Sequence, residues 1–412
     1  MSVAALDIDR ILAIECADAY GSGHMSLTSQ SNQSRKSPQP VLNIAMVGHA
    51  FMGRAHGNAY RQVNHFFDLP VQVVPKVIVG RDQKRATAAA QKLGFASATT
   101  DLDAVLQDPS IDVIDVATPN DSHYSISMDA LRAKKHVLCE KPLAMLLSQA
   151  KTMAQLAKKQ KVRVGLWHNY RRAPATTLAA KMIARGDIGD VLQVRAVYLQ
   201  DWLSDPKSPA SWRTSKKTAG SGAHGDLNAH LIDLTRALTG LEFDSVCGMD
   251  KTFYKQRPAG RGKTARVDVD DAFCMMARFK GGAIGTFEST RVAPGRKNYN
   301  CIEVSGSVGT IRWNLERMNE LEVFSQKGAR DGQGFRTIMC MDDVHPYAPN
   351  WWPDGHIVGY EHTFVHHVKD FVEALVGKKP FAPNFDDGVA VQAVLEAALE
   401  SAKTSAWVKV PR

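Results

Sequence analysis

Val41-Leu42-Asn43-Ile44-Ala45-Met46-Val47, followed at once by Gly48-His49-Ala50-Phe51-Met52-Gly53, decides the fold. The apolar run predicts a buried strand, and the glycine-bracketed turn leads into a helical stretch through Tyr60. Strand, tight turn and helix start together offer backbone N–H groups and the positive helix end to a pyrophosphate, which is the dinucleotide-binding design. Ala50 stands where GxGxxG has its middle glycine, and a methyl is the least obstructive substitute there. Outward from this unit, a second strand (74–79) ends in Gly80-Arg81-Asp82. No acid occupies the position of the usual ribose ligand, so Arg81 suits a 2′-phosphate, while Asp82 or a backbone contact still serves NAD. Helices at 83–93, 101–106 and 122–133 alternate with strands at 111–116 and 136–140, which predicts a parallel βαβ sheet.

The stretch His136-Val137-Leu138-Cys139-Glu140-Lys141-Pro142-Leu143 ends an apolar run in a charged pair and a proline. The proline bars Lys141 from the α region and holds it at a strand's carboxyl end, where open α/β sheets bind ligands. A solvated Glu–Lys pair before a turn is the competing reading. Thr118, Pro119, Asn120 and His123 follow the previous strand and fall on the same edge, with Asn120 or Ser122 equally suited to cap a helix. After a helix over 143–159 and a strand over 162–166, Trp167-His168-Asn169-Tyr170-Arg171-Arg172 is placed either over a ligand or at an interdomain hinge.

From Val191 onward period-two alternation takes over, at 192–199, 244–252, 272–279, 283–290, 301–305, 310–314 and 320–324. This predicts a second, α+β domain with a mainly antiparallel sheet. One helix interrupts it. Leu227, Leu231, Leu234 and Leu238 form its buried stripe, and Asp226, His230 and Asp233 form the stripe beside it. Asp226 and His230 are one turn apart, so a carboxylate beside an imidazole is expected to fix its tautomer and raise its basicity, as a general base needs. An ordinary i,i+4 helix pair is the plain alternative, and a metal held by His224, Asp226 and His230 lacks further ligand spacing. His362 and His366 fit a partly exposed helix face better than a metal site. The aromatic loop of Tyr347, Trp351, Trp352 and Tyr360 suits sugar stacking or interdomain packing.

A chain of 412 residues is long enough for two cores. The formal charge of +9 is dispersed and lacks interleaved aromatics, which speaks against nucleic acid and leaves a mild attraction for an anionic dinucleotide. Six separated cysteines without a CxxC pair point to reduced thiols in the cytoplasm. Residues 1–40 contain no secretory or membrane-spanning segment and are set apart as leader and linker, disordered or vector-derived at Gly21-Ser22-Gly23-His24-Met25. The domains expected are a Rossmann domain at 41–165 and a substrate and oligomerisation domain at 166–412.

Over residues 41 to about 405 the chain resembles the glucose–fructose oxidoreductase/inositol dehydrogenase (Gfo/Idh/MocA) family. The resemblance rests on Gly48 to Gly53, Ala117 to Asn120, Glu140-Lys141-Pro142 and the helix of Asp226, His230 and Asp233, with Tyr198 to Trp202 and Trp212-Arg213 typical of its bacterial sugar dehydrogenases. It implies hydride transfer between a secondary alcohol of a sugar, anhydrosugar or cyclitol and nicotinamide, without a catalytic metal. It further implies catalysis by Lys141, Asp226 and His230. Cofactor contacts are expected from Gly48, Ala50, Phe51, Met52, Gly53, Arg81, Thr118, Pro119, Asn120, His123, Glu140, Lys141, Asn169 and Arg213. Substrate contacts are expected from Lys141, Tyr170, Arg171, Trp202, Asp226 and His230. NAD is the expected cofactor with NADP tolerated, and the assembly expected is a homodimer or homotetramer built through the sheet. Ala50, Gly80 and His224 depart from the family pattern. Two other functions fit the same residues: an NAD-dependent glycosidase working by transient sugar oxidation, and a non-catalytic dinucleotide and sugar sensor.

Overall fold

The computed structural model describes residues 39–411. The predicted leader and linker, apart from Gln39 and Pro40, therefore lies outside the described residues. Strands β1 (Val41–Val47), β2 (Gln72–Val79), β3 (Ser97–Thr99), β4 (Val113–Val116), β5 (His136–Cys139) and β6 (Val164–Leu166) form a sheet in the order 3-2-1-4-5-6. Every pairing in it is parallel. Helices α1 (Phe51–Phe66), α2 (Gln83–Leu93), α3 (Leu102–Gln107), α4 (His123–Arg132) and α5 (Leu147–Gln160) make the connections. Because helices cover both faces, the central strands read as unbroken apolar runs; β4 is buried throughout, its Asp115 included. Strand order reverses between β1 and β4, which opens a ligand crevice at the carboxyl ends of those strands. The sequence reading passes over β3, whose three residues are too few to register an alternation.

The second region contains α6 (Pro174–Ala184), β7 (Val191–Leu199), α7 (Lys216–Ala219), α8 (Ala229–Thr239), β8 (Phe243–Lys251), β9 (Gln256–Pro258), β10 (Thr264–Arg266), β11 (Ala272–Phe279), β12 (Ile284–Thr290), β13 (Tyr299–Gly306), β14 (Gly309–Asn314), β15 (Glu320–Ser325), β16 (Arg336–Met339), α9 (Tyr360–Val376), α10 (Phe385–Thr404) and β17 (Val408–Lys409). Nine of these strands form one sheet in the order 16-15-14-13-7-12-11-8-17. Only β7 and β12 run parallel, so the mainly antiparallel expectation holds. Alternation buries one face: Phe273, Met275, Phe287, Ile302, Val304 and Trp313 are all within a few per cent of complete burial, and α6, α8 and α10 cover them. Helix α9 packs on α1, and α10 packs on α5 as well as β8, which binds the two sheets into one body. No helix among the described residues is long and apolar enough to cross a membrane.

Candidate active site

The glycines of the first turn are required by space. Gly48 has φ +96°, and a Cβ there would lie 2.5 Å from the Ala117 carbonyl oxygen, while one on Gly53 would lie 2.5 Å from that of Gly48. Any side chain would push β1, α1 and the β4 loop apart, and the first N–H groups of α1 are left without intrahelical partners. Ala50 is exposed at the helix start. This cradle therefore fits a dinucleotide pyrophosphate, with the departure at Ala50 causing no obstruction.

A cleft of about 370 Å³ opens between this edge and the second sheet. Phe51, Met52, Thr118, Asn120, Glu140, Lys141, Asn169, Tyr170, Trp202, Arg213, Asp226 and His230 line it, as expected. So do Tyr198, Gln200, Trp212 and Leu227, which the sequence reading did not assign to it, and Trp167 and Tyr360, for which a ligand contact was one of two readings. Asn120 reaches across to the Ala219 carbonyl at 2.9 Å, and Asn169 donates to Thr363 at 2.8 Å. A larger cavity of about 660 Å³ lies at the opposite strand ends around His136, Lys158, Arg163 and Phe381. Its lysines sit at helix C-termini, where they complement the helix dipole, and Lys158 is paired with Asp386 at 2.7 Å.

Lys141 precedes a cis peptide bond to Pro142, and its ammonium enters the cleft from the end of β5. Its Nζ donates to Asp226 Oδ1 at 2.7 Å and to the Asp226 carbonyl at 2.8 Å. Arg291, almost wholly buried, donates to Asp226 Oδ2 at 2.8 Å. Burial works against the Asp226 charge, yet Lys141, Arg291 and Arg213 hold its pKa well below the usual carboxylate value. The expectation that Asp226 orients His230 is corrected here, because both of its oxygens are committed to cations. The physical reason is local: residues His224–Asn228 are wound as a π-helical turn before α8 begins, so the 226–230 spacing spans a change of pitch.

His230 is 8% exposed, packs against Tyr170 with ring centres 4.7 Å apart, and buries an unpartnered Nδ1. Burial, reinforced by the Lys141 ammonium, drives its pKa well below 6.5, so the ring is neutral at physiological pH. Burial raises the phenol pKa values of Tyr170, Tyr198 and Tyr360. These tyrosines are therefore protonated hydrogen-bond partners, and the neutral His230 ring lies beside them in a cleft that the Glu140 and Asp226 carboxylates also line.

Two further expectations change. Arg171 does not line the cleft; its guanidinium is bidentate to Asp233 and reaches Asp387, an ion cluster beneath α8. His123 is fully buried below the edge, within 2.8 Å of the Pro142 carbonyl and 2.9 Å of the Thr118 carbonyl, so it braces the loops carrying Thr118 and Lys141 without meeting a ligand. Asp82 caps α2 through Oδ1, which accepts from the Arg85 N–H at 2.9 Å, and its side chain stays exposed. Arg81 is exposed beside it, Pro119 is half-buried in the β4 loop, and a Cβ on Gly80 would meet His49 Nε2 at 3.0 Å. His224 faces away from the cleft, stacked on Phe273 and 3.0 Å from the Leu395 carbonyl, which removes it from any ligand set with Asp226.

A Rossmann sheet, a fitted pyrophosphate turn and a neutral imidazole beside an ammonium in the adjoining cleft define a dinucleotide-dependent oxidoreductase. Residues 42–168 match the oxidoreductase family with an NAD-binding Rossmann fold, and residues 176–312 match the GFO/IDH/MocA C-terminal domain. The chain belongs to the GFO/IDH/MocA family, and its cofactor is NAD. Levoglucosan dehydrogenase of Pseudarthrobacter phenanthrenivorans is 40% identical over 386 residues, covering 90% of this chain and 98% of that protein. The crystal structure of an oxidoreductase domain protein from Kribbella flavida is similar with a TM-score of 0.89 at 45% identity, over 90% of this chain and 100% of that one. A structure of levoglucosan dehydrogenase with NADH and levoglucosan gives 0.87 at 41% identity, over 90% and 99%.

Proposed function

We propose that the chain oxidises a secondary alcohol of a sugar, anhydrosugar or cyclitol, at C3 where the substrate is a pyranose, and reduces the ketone in reverse. The observation that carries this reading is the meeting of Lys141, Asp226 and His230 on a cleft wall faced by Tyr170, Trp202, Trp212 and Tyr360. Aromatic faces suit the C–H faces of a sugar ring, and a few convergent polar groups fix its hydroxyls. NAD would be held by the Gly48–Gly53 turn with Thr118, Asn120 and Asn169, and it supplies the hydride acceptor. His230 takes the hydroxyl proton at Nε2, since Nδ1 is buried. Lys141 donates to the alcohol oxygen and stabilises the negative charge that grows as the proton leaves. Asp226 keeps Lys141 in place. The likeness to levoglucosan dehydrogenase makes levoglucosan the first substrate to try, in a panel with inositols, xylose and aryl glycosides. NADH growth supports the dehydrogenase; sugar release without net NADH identifies the glycosidase, and neither result favours the sensor.

NADP is tolerated in this reading, because no acid at Gly80 repels a 2′-phosphate. Wild-type protein should bind NAD more tightly than NADP, and Arg81→Ala should change neither Kd by more than about threefold, less than a full charge-assisted hydrogen bond supplies. Titration by fluorescence checks this; a selective loss of about tenfold for NADP would make Arg81 a phosphate ligand and reverse the preference.

The outer face of the nine-stranded sheet exposes Met249, Met276 and Ile284 beside Cys247 and Cys274. An apolar sheet face of this kind supports self-association into a dimer or tetramer, in a cytoplasm that keeps the thiols reduced. Met276→Lys should lower the mass measured by light scattering, and an unchanged oligomer of the wild-type mass places the interface elsewhere.

A further inference from the structure

Beneath the cleft runs a buried polar chain that the reaction described above does not use. His56, in the second turn of α1, is fully buried. Its Nδ1 lies 2.9 Å from Asp115 Oδ2 and its Nε2 lies 3.1 Å from Glu140 Oε1. Asp115 Oδ1 accepts from Trp167 Nε1 at 2.9 Å, and Trp167 stacks on the imidazole with ring centres 4.0 Å apart. The other oxygen of Glu140 accepts the backbone N–H of Lys141 at 3.0 Å. The groups come from α1 and from the carboxyl ends of β4, β5 and β6, four elements brought together at one point. An imidazole between two carboxylates has an acceptor at each nitrogen, so both nitrogens donate and the ring is an imidazolium.

We propose that His56, bridging Asp115 and Glu140, is the positioning residue for Lys141. Pinned from beneath by His56, Glu140 can turn its second oxygen only toward the Lys141 N–H, which fixes the base of the lysine side chain. Asp226 fixes the other end. The ammonium is thereby held at both ends of its stem, and reactions of this kind are sensitive to displacements of about an ångström. The inference rests on the reading of Lys141 as the residue that binds the alcohol oxygen.

The groups facing His56 are Asp115 from β4, Glu140 just past β5 with Lys141 beyond it, and His367 from α9, while Tyr60 of its own helix faces Asp115. Burial opposes the imidazolium, but Asp115 and then Glu140 outweigh it and raise the His56 pKa from 6.5 to about 9. A raised pKa means that the stabilisation is full below the unfolded value of 6.5 and is lost as pH climbs through about 9. Turnover limited by the position of Lys141 therefore falls reversibly in that upper range.

The test is a double-mutant cycle assayed with levoglucosan and NAD. His56→Gln is expected to lower kcat about 10- to 100-fold, the range typical of groups that orient a reactive residue. NADH Kd should stay within about twofold, and the component of the alkaline fall near pH 9 should vanish from the kcat profile. Placed in Lys141→Ala, the same change should cost less than about twofold more, because a residue acting through Lys141 has nothing left to position. A kcat within twofold of wild type, an unchanged pH profile, or a full extra loss in the Lys141→Ala background overturns the proposal. Glu140→Gln, which keeps the shape and the bond to the Lys141 N–H, is carried through the same cycle, so a misfolded His56 variant does not remove the test. Near-normal turnover by Lys141→Ala alone overturns the reading of Lys141 itself, an outcome distinct from additivity with His56.

Discussion

His230→Ala should lose turnover by about two to four orders of magnitude, the usual contribution of a positioned general base, while binding NADH as the wild type does. The side chain is carried by α8, which packs on the second sheet, so its removal takes away the proton acceptor without altering any residue of the Gly48–Gly53 turn. The tyrosines around it cannot substitute, because burial holds their phenols protonated. The pH dependence follows from the same burial. A base must be neutral to act, and the His230 pKa lies well below 6.5, so kcat/KM should remain flat from neutral pH down past 6.5 and fall only below it. An acid limb centred above 6.5, or a His230→Ala enzyme of near-normal kcat with levoglucosan, removes His230 from the role.

What the sequence disclosed about this site is what local pattern can carry. The Gly48–Gly53 turn was legible because its glycines answer a steric demand set by residues immediately before and after it. Lys141 was legible because a proline fixes its place at a strand end. Leu227, Leu231, Leu234 and Leu238 are buried as their period requires, and His230 stands on the adjoining stripe at the cleft.

Partnerships between distant segments were not legible. Arg171 looks like a cleft cation in sequence, and only the three-dimensional fold brings Asp233 and Asp387 to it. Asp226 was assigned to the wrong neighbour because the spacing rule assumes an α-helix where the chain makes a π turn. Arg291, which holds its second oxygen, follows β12 without any sequence mark. His56 gave one faint signal: it falls among Gly53, Gly57, Tyr60 and Val63, the buried face of α1, where a histidine needs polar partners. Those partners, Asp115, Glu140 and Trp167, lie on three other elements.

Lys141→Ala should reduce kcat by about two to three orders of magnitude, comparable to loss of an oxyanion-stabilising donor, and should also move the acid limb upward. The first effect comes from charge. With the ammonium gone, Asp226 keeps Arg291 and stays ionised, so the growing alkoxide meets a carboxylate where it formerly met a cation. The second comes from the Lys141 contribution to His230, which lowers the imidazole pKa; its removal raises that pKa, and the neutral base then persists only to a higher pH limit. Loss of fold or of cofactor binding predicts no such displacement, which separates the chemical role from a structural one. Lys141→Arg should recover little, because a planar guanidinium cannot place a compact donor between the Asp226 carboxylate, the Asp226 carbonyl and the substrate oxygen. The kcat/KM profile of Lys141→Ala against levoglucosan decides the matter: wild-type rates, or an acid limb that stays put or moves down, would remove the ammonium from the reaction.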